Sequence, residues 1–273
     1  TGAKAQDRPF CVAEMSGNHG GDIEKAFAII CAAKAAGADA VKFQTYEAHT
    51  ITLDHDGPDF RIENPRWGGQ RLYDLYKKAE TPFAWHADLF ACAKDVGIAA
   101  FSAPFDLTAV DLLEGLNAPY YKVASCELVD VGLIARVAQT GKPTIMSTGM
   151  ATADEIEEAI AAFRGAGGKD LCLLHCISGY PTPYADFHLN TMPHLRSAYG
   201  VAVGLSDHSN GPVAAVVAAA LGADVIEKHI MLGSEDGAVD AAFSLTPQGF
   251  GDMVSMVSDA ASALGGVQME PSA

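Results

Sequence analysis

The sequence predicts a single (β/α)8 TIM barrel with eight parallel strands. Short apolar runs bounded by Gly, Pro or polar residues recur eight times, Ala-rich amphipathic segments separate them, and 273 residues is the length one such barrel uses. The runs lie at 10–13, 40–44, 98–102, 120–124, 144–147, 171–175, 201–205 and 225–229. They are apolar throughout rather than alternating, so helices must cover both faces of the sheet. An open doubly wound sheet is the other architecture for this pattern, but no Gly-x-Gly-x-x-Gly fingerprint follows the first run.

The connecting segments carry helix start signals. Asp22 is placed to cap the first helix, and Thr152 with Glu155 forms a capping box ahead of Ile156. Thr246-Pro247 opens the last helix with proline in its first turn. One connection is too long for a simple turn: the insertion at 45–81, with Trp67-Gly68-Gly69-Gln70, is expected to cover the site as a lid. The barrel is expected to occupy 1–265, and Gly265-Gly266 leads 266–273 into the start of a linker.

Composition excludes several classes of function. With 49% hydrophobic and 19% charged residues the chain can bury a large core. A formal charge of -16, with no basic stripe, opposes binding to nucleic acid or an anionic membrane. No apolar run approaches the roughly 20 residues of a membrane span, and residues 1–9 lack the apolar stretch of a signal peptide. A soluble, cytoplasmic chain is expected. The six cysteines are scattered, with Cys11, Cys31 and Cys172 inside apolar or helical patterns, as suits reduced thiols packed as small hydrophobes. Cys172 and His175 alternate along one strand and so face opposite ways, a poor zinc site.

In a TIM barrel the chemistry gathers at the C-terminal ends of the strands. Here those positions hold Glu14, then Lys42 and Gln44, Ser102, Lys122 with Ser125 and Glu127, Ser147, and His175. Strand seven leads into Ser206-Asp207-His208, and strand eight ends in Glu227-Lys228-His229. His208 and His229 stand at the ends of adjacent strands, where two neutral imidazoles can hold a divalent metal. A lone histidine is more often a hydrogen-bonded core residue; the pairing favours the metal. Lys42 and Lys122 each interrupt an apolar run, where an ammonium without an anion is costly, so together they could clamp one anionic group, with the Ser125, Ser147 and Ser206 hydroxyls completing its shell. A phosphate fits. A Schiff-base lysine of the aldolase type is the competing reading, and a non-catalytic sugar-phosphate-binding barrel is a third.

The run Ala13-Glu14-Met15-Ser16-Gly17-Asn18-His19-Gly20-Gly21-Asp22, the block from Gly37 through Val41-Lys42-Phe43-Gln44 and the stretch Tyr121-Lys122-Val123-Ala124-Ser125-Cys126-Glu127 resemble the sialic acid synthase family. So do Ser147-Thr148-Gly149-Met150, Tyr180-Pro181-Thr182-Pro183-Tyr184, Gly204-Leu205-Ser206-Asp207-His208 and Ile226-Glu227-Lys228-His229. Thr81-Pro82-Phe83-Ala84-Trp85-His86 and Asp240-Ala241-Ala242-Phe243-Ser244-Leu245 look most like its pseudaminic acid synthase branch.

That resemblance implies a metal-dependent condensation of phosphoenolpyruvate with an open-chain acetamido-sugar aldehyde, giving a nine-carbon 2-keto acid and phosphate. It implies a divalent ion, Mn2+ with Mg2+ or Co2+ as substitutes, on His208 and His229. Phosphoenolpyruvate would lie on Lys42, Gln44, Lys122, Ser125, Ser147 and Ser206, and Phe105, Ser178 and Tyr180 would complete the substrate pocket. The catalytic carboxylates would be Glu14, Glu127, Glu227 and Asp240, with Glu14 or Glu127 transferring the proton. Two positions depart from the family pattern: Ser178 stands where an asparagine is usual, and Ala103 where a hydroxyl often precedes the Pro-Phe of strand three. Family members pair as homodimers in which an arginine of a C-terminal antifreeze-like domain enters the partner's site. With its end at Ala273, directly after the eighth helix, this chain is expected to bind metal and phosphoenolpyruvate but to use the sugar poorly without such an arginine.

Overall fold

A computed structural model describes residues 8–63, 68–233 and 238–269. Eight strands form a closed barrel in chain order: β1 (Phe10–Glu14), β2 (Ala40–Thr45), β3 (Ala99–Pro104), β4 (Tyr121–Val123), β5 (Thr144–Ser147), β6 (Leu171–Cys176), β7 (Ala202–Asp207) and β8 (Val225–His229). Every neighbouring pair is parallel, and β8 closes the ring onto β1 in the register Phe10↔Val225 to Glu14↔His229. The fourth strand is shorter than the apolar run at 120–124 suggests, because the chain turns after Val123 into a 3-10 segment at Cys126–Val129.

The helices are α1 (Ile23–Ala35), the short α2 (Ala48–Ile51), α3 (Leu72–Ala79), α4 (His86–Val96), α5 (Leu107–Gly115), α6 (Val131–Gln139), α7 (Ala153–Gly165), α8 (Thr191–Tyr199), α9 (Val213–Ala220) and α10 (Pro247–Leu264). Their caps follow the sequence signals. Asp22 accepts the Glu24 amide at 2.9 Å, Thr152 and Glu155 form the reciprocal box, and Thr246 accepts the Gly249 amide with Pro247 in the first turn. None of the described helices is long and apolar enough to cross a membrane.

Two apolar layers result from strand alternation. Outward residues such as Val41, Phe43, Leu173, Val203 and Ile226 pack under the helices, where α1 buries Ala26, Ile29, Ile30 and Ala33 at helical spacing. Inward residues Val12, Ala40, Phe101, Ile145, Cys172, Leu174 and Val225 plug the barrel. Gly204 belongs to this tight interior: a β-carbon there would lie 2.0 Å from the Val225 carbonyl oxygen, so no larger residue fits. Among the described residues the cysteines are free thiols, with Cys11, Cys172 and Cys176 buried. The plug fills the barrel below its C-terminal rim.

Candidate active site

Register decides what meets at that rim. Glu14 is paired with both Lys42 and His229, Ser206 with Glu227, and Cys176 with Ser206, so these side chains share the inward face. They line a cavity of about 290 Å³ together with Gln44, Lys122, Ser125, Glu127, Ser147, Tyr180, Phe105, His208 and Asp240. These sequence-predicted positions converge on one cavity. Ser178 reaches it through Gly149: a β-carbon at 149 would lie 2.9 Å from each of Ser125 Oγ, Ser178 Oγ and Cys176 Sγ, so glycine leaves a small polar cradle there. The Gly149 amide donates to Ser125 Oγ at 3.1 Å.

The acidic and basic groups form one buried cluster. Lys42 Nζ stands 2.7 Å from Glu14 Oε2 and 3.5 Å from Glu227 Oε1. Glu14 Oε1 accepts from Gln44 Nε2 at 2.9 Å, and Glu227 Oε1 accepts from Ser206 Oγ at 3.2 Å. Burial pushes Glu14 up to about 7, with Lys42 opposing and the nearby Glu227 charge reinforcing the shift. Burial also works to raise Glu227, but Lys122 and Lys42 outweigh it and hold that carboxyl below its ordinary value. Burial likewise raises Glu127 to about 7. Two carboxyls therefore titrate near neutrality while a third remains ionised, the division that acid and base roles require.

The two lysines of the expected clamp differ in their surroundings. Lys42 is already neutralised by two carboxylates, which outweigh its desolvation and raise its pKa. Lys122 donates to Ser147 Oγ at 2.7 Å and to the Val123 carbonyl at 3.2 Å, and among the described residues no carboxylate lies within ion-pair distance. Burial lowers its pKa. Lys122 beside the Gly149 cradle is thus an ammonium with no carboxylate in direct contact among the described residues, though it feels the Glu227 charge.

His208 and His229 face each other with ring centroids 5.3 Å apart. His208 Nδ1 sits 3.2 Å from the Ile177 carbonyl, which fixes the proton on Nδ1 and leaves Nε2 as the basic nitrogen. Burial lowers the His208 pKa to about 4; burial, then His208 itself, lowers His229 well below its usual value. His229 Nδ1 is buried with no hydrogen-bond partner among the described residues, 3.9 Å from Asp240 Oδ2. Neutral imidazoles with an orphaned buried nitrogen beside a carboxylate fit a divalent cation. Among the described residues no group of three or more His, Cys, Asp or Glu side chains is arranged to hold a metal ion.

Three strand-end residues face away from the cavity. Ser102 Oγ lies 2.6 Å from Thr45 Oγ1, which contacts His86 Nε2 at 2.8 Å, all on the helix side of the sheet. His175 Nε2 is 2.5 Å from the Phe187 carbonyl, and Asp207 pairs with Lys228 at 3.1 Å, both partners fully buried. Each sits one residue from an inward position, and period-two alternation turns it outward. Ala103 is buried on the barrel side, in register with Gln44.

The insertion at 45–81 contributes directly. Leu75, Tyr76 and Ala79 of α3 line the cavity, Tyr46 stacks edge-on with Tyr76 and Phe105, and Phe243 packs against Tyr180, His208 and His229. Trp67 lies outside the described residues. Sequence reading missed Ser16, Tyr46, Tyr76 and Phe243 as cavity residues. The first and last stand inside the quoted motifs, Tyr76 stands in the stretch Leu72-Tyr73-Asp74-Leu75-Tyr76-Lys77 that also resembles the pseudaminic acid synthase branch, and Tyr46 had no signal beyond lying on the insertion.

Comparison with known proteins follows this geometry. The model of the NeuB family matches residues 29–269. The chain is 43% identical to the pseudaminic acid synthase of Helicobacter pylori over 94% of its own length and 76% of that protein. It is 44% identical to a pseudaminic acid synthase of Campylobacter jejuni over 94% and 75%. The fold matches the crystal structure of the N-acetylneuraminic acid (sialic acid) synthetase from Leptospira borgpetersenii in complex with citrate. That match has a TM-score of 0.89 and 30% identity, and covers 100% of this chain and 92% of that one.

Proposed function

This chain belongs to the NeuB family, and on that premise we propose that it is a nonulosonic acid synthase, condensing phosphoenolpyruvate with an open-chain acetamido-sugar aldehyde. The observation that carries this reading is the division of one cavity into a cationic side, Lys122 with Ser147 and the Gly149 cradle, and an imidazole side at His208 and His229. Carboxyls that titrate near neutrality, Glu14 and Glu127, share the cavity with both sides.

Each half suits one reactant. The phosphate of phosphoenolpyruvate would take the Lys122 ammonium and the Ser125, Ser147 and Ser178 hydroxyls; its carboxylate would approach Lys42 and Ser206. The aldehyde would lie toward the imidazoles and Asp240, under the Tyr46, Phe105 and Tyr180 rings. His208 and His229 would hold a divalent metal, which when bound polarises the aldehyde oxygen.

The bond changes follow from the reactants. Carbon three of the enol attacks the aldehyde carbon, whose oxygen takes a proton and becomes a hydroxyl. Water adds to carbon two and gives up a proton; cleavage of the bond between carbon two and the phosphate ester oxygen then leaves a 2-keto acid and inorganic phosphate. Glu14 and Glu127 are the groups suited to those proton transfers, since a pKa near 7 allows either direction at neutral pH. Glu227, held ionised between Lys42 and Ser206, keeps Lys42 charged and in place. Holding both reactants in one cavity supplies much of the rate by positioning alone.

Incubation with phosphoenolpyruvate, Mn2+ and a panel of acetamido sugars, with the product identified by mass, tests the proposal. A keto acid three carbons longer than the sugar, formed with stoichiometric phosphate, is the expected result. Phosphate release without a carbon-carbon bond would refute it.

A further inference from the structure

Among the described residues, three other than glycine have left-handed backbone: Ser16 (φ 48°), Asn117 (φ 55°) and His188 (φ 46°). Asparagine and histidine accept that conformation comparatively well, and both of these lie in connections outside the cavity. Ser16 is buried, lines the cavity and sits two residues after the end of β1. The same loop uses Gly20 (φ 59°) and Gly21 (φ 81°) where it turns left-handed at the surface. Glycine would satisfy the backbone at 16 without penalty, so a side chain retained there must be worth its strain.

The hydroxyl has two partners, both on the site. Ser16 Oγ donates to Asp240 Oδ2 and accepts from Gln44 Nε2 at 3.2 Å. Asp240 Oδ2 is also the atom 3.9 Å from His229 Nδ1. Asp240 opens the 3-10 turn Ala241–Phe243, yet its side chain does not cap that turn. Its backbone is held separately: Asn18 Nδ2 donates to the Ile230 carbonyl and to Ser244 Oγ, each at 2.8 Å, and Ser244 Oγ donates to the Asp240 carbonyl at 2.7 Å. Asn18 thus secures the loop after β8, while Ser16 orients the carboxylate that the loop carries.

We propose that Ser16 is a positioning residue for the acceptor half of the reaction: its left-handed backbone delivers a hydroxyl that fixes the Asp240 carboxylate beside His229, so that the incoming sugar meets an oriented anion. The inference rests on the functional reading above and adds to it a residue that never needs to touch the reacting atoms. A purely structural serine and a positioning serine differ in sign when glycine replaces it. Glycine relieves the backbone and removes the hydroxyl, so stability and acceptor use move in opposite directions.

The test compares Ser16→Gly, Ser16→Ala, Asp240→Asn and the double variant Ser16→Gly/Asp240→Asn, melted without substrates and assayed with phosphoenolpyruvate and the accepted sugar. Ser16→Gly should melt at or above the parent temperature, with the acceptor KM raised about tenfold or more and the phosphoenolpyruvate KM within about twofold. Ser16→Ala, which keeps the strain and loses the hydroxyl, should show the same KM defect and a lower melting temperature. The double variant should be no worse than Asp240→Asn alone. A parental acceptor KM in Ser16→Gly, equal loss for both substrates, or additive defects in the double variant would overturn the inference. An active parent with any of those results refutes this inference alone, whereas a parent that condenses no sugar refutes the functional reading and the inference with it.

Discussion

Lys42 Nζ lies 2.7 Å from Glu14 Oε2 across two strands paired in register, both side chains buried at the barrel rim. Glu227 adds a second carboxylate 3.5 Å from the same ammonium. A buried charge without its partner is expensive, so removing the cation strands two carboxylates. Lys42→Met is expected to destabilise the fold by roughly 3–5 kcal/mol in chemical denaturation. Lys42→Met/Glu14→Gln should recover part of that loss without recovering activity. Equal stability of parent and Lys42→Met would show that solvent reaches the cluster and screens it.

Lys122, with no carboxylate in direct contact among the described residues, makes a different prediction. Lys122→Met should weaken phosphoenolpyruvate binding by roughly 10- to 150-fold, the equivalent of one charge-assisted contact of about 1.5–3 kcal/mol, with a smaller effect on the sugar. Titration calorimetry with each substrate separates the two effects. Comparable weakening of both would rule out a phosphate seat at Lys122.

Borohydride treatment in the presence of phosphoenolpyruvate or pyruvate should leave the chain's mass unchanged. The lowered Lys122 pKa is also what a Schiff-base lysine needs, so this control discriminates between an ammonium and an amine nucleophile. A stable adduct on Lys122 would reassign the chemistry to an aldolase.

Manganese binding should depend on both imidazoles. His208→Ala and His229→Ala are each expected to lose Mn2+ binding in equilibrium dialysis while retaining the parental circular dichroism, and a chelator should remove activity reversibly. Retention of parental Mn2+ affinity by either variant would dismiss the pair as the metal site.

Glu127 gives stability a pH dependence of defined sign. Burial raises its folded pKa from the ordinary 4.5 to about 7, so the folded chain binds this proton more tightly than the unfolded chain. The contribution is fully present below about pH 4.5 and is lost as pH rises through about 7. Glu127→Gln should therefore flatten that part of the stability curve, and should abolish any kcat inflection near pH 7 that Glu127 provides. An unchanged stability profile in the variant would show that the carboxyl titrates normally.

Much of this was legible in the chain because barrel strands are local objects. Eight apolar runs, two capping signals and a proline start are statements about short windows, and the matching elements formed within one or two residues of them. The strand-end list was legible for the same reason, since alternation along a strand is a two-residue property. Its errors share that origin: Ser102, His175 and Asp207 stand at strand ends but on the outward parity, and only barrel closure decides which parity faces the cavity.

By itself the sequence determined the strand and helix order, the capping residues and the set of polar groups available at one rim. Tertiary structure alone decided how those groups share charge. Closing β8 onto β1 set Glu14 beside His229, and β1 pairing with β2 set it beside Lys42; burial in the closed ring moves Glu14 to about 7 against the pull of Lys42, while Lys122 and Lys42 hold Glu227 down. It also brought Ser16 onto Asp240, residues 224 positions apart. Electrostatic energies depend on distance and on exclusion of water, neither of which is a property of a short window of chain. The residue types were written along the chain; their ionisation and roles arose when the ring closed around them.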